Sequence, residues 1–225
     1  MRLRYKKNLD ERILACKDYF LDRTCDGNAL VAIKNPNYID FVQIFGNNNP
    51  ICVEIGCGKG KFAVEYALAN PNQNILAIER LSNVIVSGAE QAKKLNLPNL
   101  RFLVQNAEFL PHFIAPHTIS KIFLNFSCPY PKKTYQNRRL TYGKFLDNYK
   151  VFLIKDGFVE QKTDNLPFFE FSIESFLQNG WALPFVTRDL YSCDLSSNIQ
   201  TEYEKRFVSG GIKINKLIAI PPKEN

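Results

Sequence analysis

The chain is poor in the residues that build a metal centre. Among its 225 residues are two histidines, His112 and His117, and six cysteines, none of them in a C-x-x-C pair. Neither histidine sits at ligand spacing from a cysteine, so no metal site is expected. No apolar run is long enough to span a bilayer. The opening residues, MRLRYKKNLDER, are basic and lack the apolar stretch of a secretory signal. There is no internal repeat and no low-complexity linker. These absences exclude a membrane-spanning protein and a metalloenzyme, and they place Cys16, Cys25, Cys52, Cys57, Cys128 and Cys193 as free thiols in a reducing cytoplasm.

What remains is an ordinary globular composition, 45% hydrophobic and 23% charged. A formal net charge of +7 favours a polyanionic partner. Residues 1–35 read as a basic extension, with Arg2, Arg4, Lys6 and Lys7 available to phosphates and one short amphipathic helix in NLDERILACKDYFL. Residues 36–225 read as one domain. There, short apolar runs alternate with segments of helical spacing. Strands are expected at 51–55, 74–79, 100–105, 121–126, 157–163, 181–190 and 212–220. Helices are expected at 61–70, 82–96 (with Ser82 as N-cap), 141–153, 166–179 and 201–209. Such alternation implies an α/β fold with a mostly parallel sheet and helices on both faces.

The sharpest motif is Glu54-Ile55-Gly56-Cys57-Gly58-Lys59-Gly60, between the first strong strand and a helix. Glycines there let the backbone turn tightly and approach a ligand. Glu79 ends the next strand, where a carboxylate can accept ribose hydroxyls, and Asn106 follows the third strand, placed for an adenine edge. A dinucleotide site would want G-x-G-x-x-G; here the spacing is G-x-G-x-G and an acid precedes it. An anion is unfavourable beside a pyrophosphate and favourable beside a cation. Glu54 therefore suits S-adenosylmethionine, which carries an ammonium and a sulfonium. Lys59 lacks the following Ser or Thr of a phosphate-binding loop.

A second segment, NFSCPYPKKTYQNRRL (125–140), places two prolines around Tyr130 and then Lys132, Lys133, Arg138 and Arg139 around Tyr135. Prolines stiffen the corner, aromatic faces can stack bases, and cations can meet phosphates. TEYE (201–204) carries a capping-box pattern, which does not prevent the helix end from facing a ligand. KTDN (162–165) has turn chemistry.

Taken in series, VEIGCGKGKF, IER, CPYPKK…NRRLT, KTDN and TEYEKRF resemble the bacterial tRNA (guanine-N7)-methyltransferase family, over about residues 40–220. The resemblance implies a Rossmann-like class I methyltransferase with a seven-stranded sheet whose last strand pairs antiparallel. It implies methyl transfer from S-adenosylmethionine to N7 of a guanine in the tRNA variable loop. It puts Glu54, Gly56, Gly58, Glu79 and Asn106 at the cofactor. It puts Lys132, Asp164, Thr201, Glu202, Tyr203 and Glu204 at the tRNA or target guanine; Lys133, Arg138 and Arg139 are expected on the leading phosphates from the charge of their segment. The family pattern Asp-Pro-Trp-Pro-Lys reads Cys128-Pro129-Tyr130-Pro131-Lys132 here, so the aspartate assigned to catalysis is a cysteine. The expectation is an active enzyme in which Asp164 supplies the carboxylate. The rival is a tRNA-binding relative that keeps the cleft without turnover.

Overall fold

A computed structural model of the chain describes residues 7–223 except 24, 26 and 195–197, and gives no account of the Glu202 and Tyr203 side chains. Arg2, Arg4 and Lys6 of the basic extension therefore lie outside the described residues. The chain divides into two compact units, 1–113 and 114–225.

The first unit runs α1 (Leu9–Ala15), α2 (Ala29–Lys34), α3 (Phe41–Phe45), β1 (Ile51–Ile55), α4 (Lys61–Ala69), β2 (Asn74–Glu79), α5 (Ser82–Lys94), β3 (Leu100–Val104) and α6 (Leu110–Phe113). β1, β2 and β3 pair in parallel. Every residue of β1 is buried, and in β2 all but the terminal Glu79. Apart from Glu54 and Asn74, these are the near-continuous apolar runs expected of strands covered on both faces. Helix α5 begins at Ser82 after an N-cap at Leu81, so Ser82 is not the cap foreseen from sequence. Glu79, at the end of β2, instead accepts from the Leu81 backbone N–H at 3.2 Å. The short helix α3 lacks enough turns to be read from periodicity. It starts on Asp40, whose Oδ1 accepts from the Gln43 N–H at 3.0 Å.

Part of the basic extension is fixed to this unit. Arg12 pairs with both carboxylate oxygens of Glu90 on α5 at 2.6 Å, and the Leu21 N–H donates to the Phe102 carbonyl at 2.9 Å.

The second unit runs β4 (Ile119–Asn125), α7 (Gly143–Phe152), β5 (Leu153–Thr163), α8 (Leu166–Gln178), β6 (Ala182–Thr187), α9 (Glu202–Ser209) and β7 (Asn215–Ile220). β4 and β5 are parallel, and β7 runs antiparallel to both β5 and β6. Its core is aromatic: Phe145, Tyr149, Phe152, Phe168, Phe169, Phe176 and Trp181 are buried, with Phe176 and Trp181 packed edge to face at 5.3 Å. Such ring pairs add about 0.5–1.5 kcal/mol beyond area burial. β5 starts at Leu153, four residues before the expected start at 157, because α7 feeds into it without a loop. Over the whole chain the strand order is β3-β2-β1-β4-β5-β7-β6, a seven-stranded, mostly parallel sheet of the Rossmann-like type.

Candidate functional site

In the first unit the candidate site is made at strand ends. After β1 the backbone takes positive φ at Gly56 (81°), Gly58 (57°) and Gly60 (74°). The loop is stitched to β2 by the Gly56 and Cys57 N–H groups, which both donate to the Ile78 carbonyl, at 2.8 and 3.0 Å. The glycines serve different ends. A Cβ on Gly58 would meet nothing within 4 Å, so only its φ demands glycine. A Cβ on Gly60 would stand 2.9 Å from Phe102 and 3.1 Å from the Gly88 Cα, so Gly60 also lets α4 approach α5 closely. Gly88 mid-helix gave no signal of this in the sequence.

Glu79 is half-buried, and its Oε2 accepts from the Gly58 N–H at 3.2 Å. One carboxylate thus braces the glycine loop and the start of α5 while its remaining lone pairs stay available to hydroxyls. Glu54 is 2% exposed at the end of β1. The buried Cys57 thiol is pushed well up from its ordinary value, first by burial and then by the charges of Glu54 and Glu79. The same two carboxylates that disfavour a thiolate disfavour a pyrophosphate and favour a cationic ligand. Asn106 is exposed after β3, and its Oδ1 accepts from the Glu108 N–H at 3.3 Å, capping a short 3-10 turn. These residues fit the ammonium, ribose and adenine of S-adenosylmethionine.

In the second unit, β4 leads into a bent corner. Phe126 (φ 49°) and Tyr130 (φ 40°) both adopt left-handed backbone without being glycine, at a cost of about 1–3 kcal/mol each. Arg139 holds the corner. Its Nε donates to the Pro129 carbonyl at 2.9 Å and an η-nitrogen to the Tyr130 carbonyl at 3.1 Å, while the guanidinium lies 4.2 Å from the Phe171 ring centre. Burial lowers its pKa from the usual arginine value. Sequence reasoning grouped Arg139 with the phosphate-facing cations; the structure gives its fork to the loop. Lys132, Lys133 and Arg138 are exposed, as is Cys128, and Arg138 lies 4.7 Å over the exposed Tyr135 ring.

Asp164 follows β5, half-buried, and borders an open depression of about 460 Å³ with Leu166, Arg188, Lys213 and Asn215 among its walls. The cations there are engaged, Arg188 with Glu170 at 2.6 Å and Lys213 with Asp189 at 3.0 Å. Thr201 and Glu204 form the expected capping box: the Glu204 N–H donates to Thr201 Oγ1 at 3.0 Å, and the Thr201 N–H to Glu204 Oε2 at 3.2 Å. Glu204 has no exposed surface, and its carboxylate lies 3.3 Å from the buried Lys162 ammonium. That pairing had no signal in the sequence beyond a lysine inside a strand pattern. Among the described residues no group of His, Cys, Asp and Glu is arranged to hold a metal ion, and no helix is long and apolar enough to cross a membrane.

A glycine loop after the first sheet strand, with Glu54 just before it and Glu79 at the end of the next strand, defines a Rossmann-like methyltransferase. The fold agrees with the crystal structure of the 16S rRNA methyltransferase KamB, at a TM-score of 0.62 and 18% identity, covering 83% of this chain and 95% of that one. The family model described as "Putative methyltransferase" matches residues 48–217. The chain is 42% identical to the tRNA (guanine-N(7)-)-methyltransferase of Geobacillus sp. (strain WCH70), over 99% of this chain and 97% of the relative. It is 45% identical to that of Lachnoclostridium phytofermentans, over 81% and 86% respectively. The chain belongs to the tRNA (guanine-N(7)-)-methyltransferase family.

Proposed function

We infer that the protein is an enzyme that transfers a methyl group from S-adenosylmethionine to N7 of a guanine in the tRNA variable loop, in the cytoplasm. The observation that carries this reading is the family likeness across 99% of the chain, joined to a glycine loop flanked by two carboxylates. The rival is a relative that binds tRNA without turnover. A chain that had lost turnover would have less need of Glu54 and Glu79 bracketing an intact loop.

Bound S-adenosylmethionine supplies a methyl already activated on a sulfonium. In this reading Glu54 takes the ammonium end, the Gly56 and Gly58 backbone lies against the ligand, Glu79 accepts from the ribose hydroxyls, and Asn106 meets the adenine edge. Guanine N7 carries a lone pair and no proton, so attack needs no general base. The protein's task is orientation, which can supply about 7–11 kcal/mol. The base becomes cationic as the bond forms, and a carboxylate near it stabilises that charge. Asp164 is the carboxylate we assign, because Glu204 is enclosed. Tyr130 offers the base a flat face, and Lys132, Lys133 and Arg138 guide the backbone phosphates. Residues 36–225 act as the catalytic domain, with 1–35 as its basic extension. Cys128 has no proton to move in this scheme, which is why a cysteine can stand at the family's aspartate position.

The test is to incubate purified protein with unmodified tRNA and S-adenosylmethionine, digest the RNA, and look for 7-methylguanosine by mass spectrometry. Product is the expected result. No product, with cofactor and tRNA both bound, would select the binding-only relative.

A further inference from the structure

Lys162 is an unusual residue to find in the interior of a strand. Its side chain is 1% exposed, near the end of β5. Burial lowers its pKa, an effect opposed by the Glu204 carboxylate. A buried ammonium persists only when its donors are satisfied. Here Nζ donates to Asn198 Oδ1, to the Ile199 carbonyl at 2.9 Å and to Glu204 Oε2 at 3.3 Å. Glu204 is held in turn: Oε1 accepts from Asn198 Nδ2 at 2.7 Å and from the Tyr191 hydroxyl at 3.0 Å. One lysine therefore gathers the irregular segment 198–201 and the first turn of α9 against the sheet.

The same residue touches the bent corner. The Lys162 carbonyl accepts from the Phe126 N–H at 2.8 Å, where the backbone turns left-handed. The Phe126 ring stacks on Phe207 of α9 at 5.8 Å. Asp164 lies two residues on. Three segments distant in sequence, 125–131, 162–165 and 198–204, are thus tied through a single buried position.

We propose that Lys162 is a positioning residue for the tRNA-binding half of the enzyme, latching residues 198–204 in place with Glu204 as the inner anchor of that latch rather than a group that touches the guanine. The proposal rests on the reading that these segments take the tRNA. A buried ion pair adds little net stability over apolar replacements, whereas removing one partner leaves the other charged and alone. The latch therefore serves geometry, and its loss must appear in substrate kinetics.

The experiment compares wild type, Lys162→Met and the double variant Lys162→Met/Glu204→Gln. The readouts are kcat and KM for tRNA, cofactor Kd by calorimetry, and Tm. Lys162→Met is expected to lower kcat/KM for tRNA about 100-fold. The double variant buries no lone charge but cannot hold Asn198 and Ile199. It is expected to recover part of that loss and remain about tenfold below wild type. Cofactor Kd is expected to stay within about twofold in both, because the carboxylates and glycine loop assigned to the cofactor belong to the other unit. If Lys162→Met fails to fold, the double variant decides alone. Wild-type kcat/KM in either folded variant overturns the proposal, as does a loss of cofactor affinity in step with activity. Wild-type protein that makes no 7-methylguanosine would instead sink the functional reading beneath it.

Discussion

The candidate binding segments of the two units are built by different means. In the first they are largely backbone: three glycines at positive φ, N–H groups stitched to the neighbouring strand, and carboxylates at strand ends. In the second they rest on side chains and strain: two non-glycine residues in left-handed conformation, a guanidinium bracing a loop, and a buried lysine holding an irregular segment. The contrast is the one that the proposed ligands would call for. S-adenosylmethionine is small and invariant, so a rigid loop from adjacent strands suffices. A folded RNA presents a flexible backbone and one base to be singled out, so several separated segments must be held in register.

Variants can break that division. The largest effect is expected from Glu79→Ala, which removes the proposed acceptor for the ribose and the brace on Gly58 and Leu81. Cofactor affinity should fall about 10–100-fold, the range for hydrogen bonds with a charged partner, while tRNA affinity holds. Calorimetry with each ligand measures both, and unchanged cofactor affinity would remove Glu79 from the site. The converse is Lys132→Ala/Lys133→Ala/Arg138→Ala. It should weaken tRNA binding and lower the slope of log K against log salt by about 0.7–0.9 for each phosphate that is no longer neutralised. An unaltered slope would move the RNA surface elsewhere.

A smaller pair of changes sharpens the role of the glycines. Gly60→Ala places a Cβ 2.9 Å from Phe102 at a φ of 74°, and should cost about 2–4 kcal/mol of stability from overpacking and backbone strain together. Gly58→Ala meets open space and should cost about 1–2 kcal/mol. Denaturant melts that rank the two equally would show that packing against α5 does not decide Gly60. The smallest effect is expected at Cys128. Cys128→Ser should keep kcat/KM within about threefold, since N7 methylation needs no proton acceptor. A drop beyond tenfold would give the thiol a part that the present scheme denies it. In alkylation of the native protein, exposed Cys128 should react before buried Cys57, whose thiolate is disfavoured by burial and two carboxylates.

The difference between the units also explains what could be read in advance. Glu54, the glycines and Glu79 lie on one strand–loop–helix–strand unit, so their meaning is carried by local pattern. Strands β1 and β2 were legible to the residue because their runs are apolar and bounded by turn residues. The Arg139 fork was not legible, because a cation in a basic run looks the same whether it faces a phosphate or two carbonyls of its own loop. Lys162 and Glu204, 42 residues apart, were not legible as a pair for the same reason.

The sequence by itself determined the alternating α/β order, the buried parallel strands, and a glycine loop whose flanking carboxylates favour a cation over a pyrophosphate. Those follow from residue periodicity and from charge at short range. Only the tertiary structure decided which charged groups remain free to meet a ligand. Lys132 and Arg138 are left on the surface, whereas Arg139, Lys162 and Glu204 are drawn inward, because strained and irregular backbone needs buried partners for its polar groups.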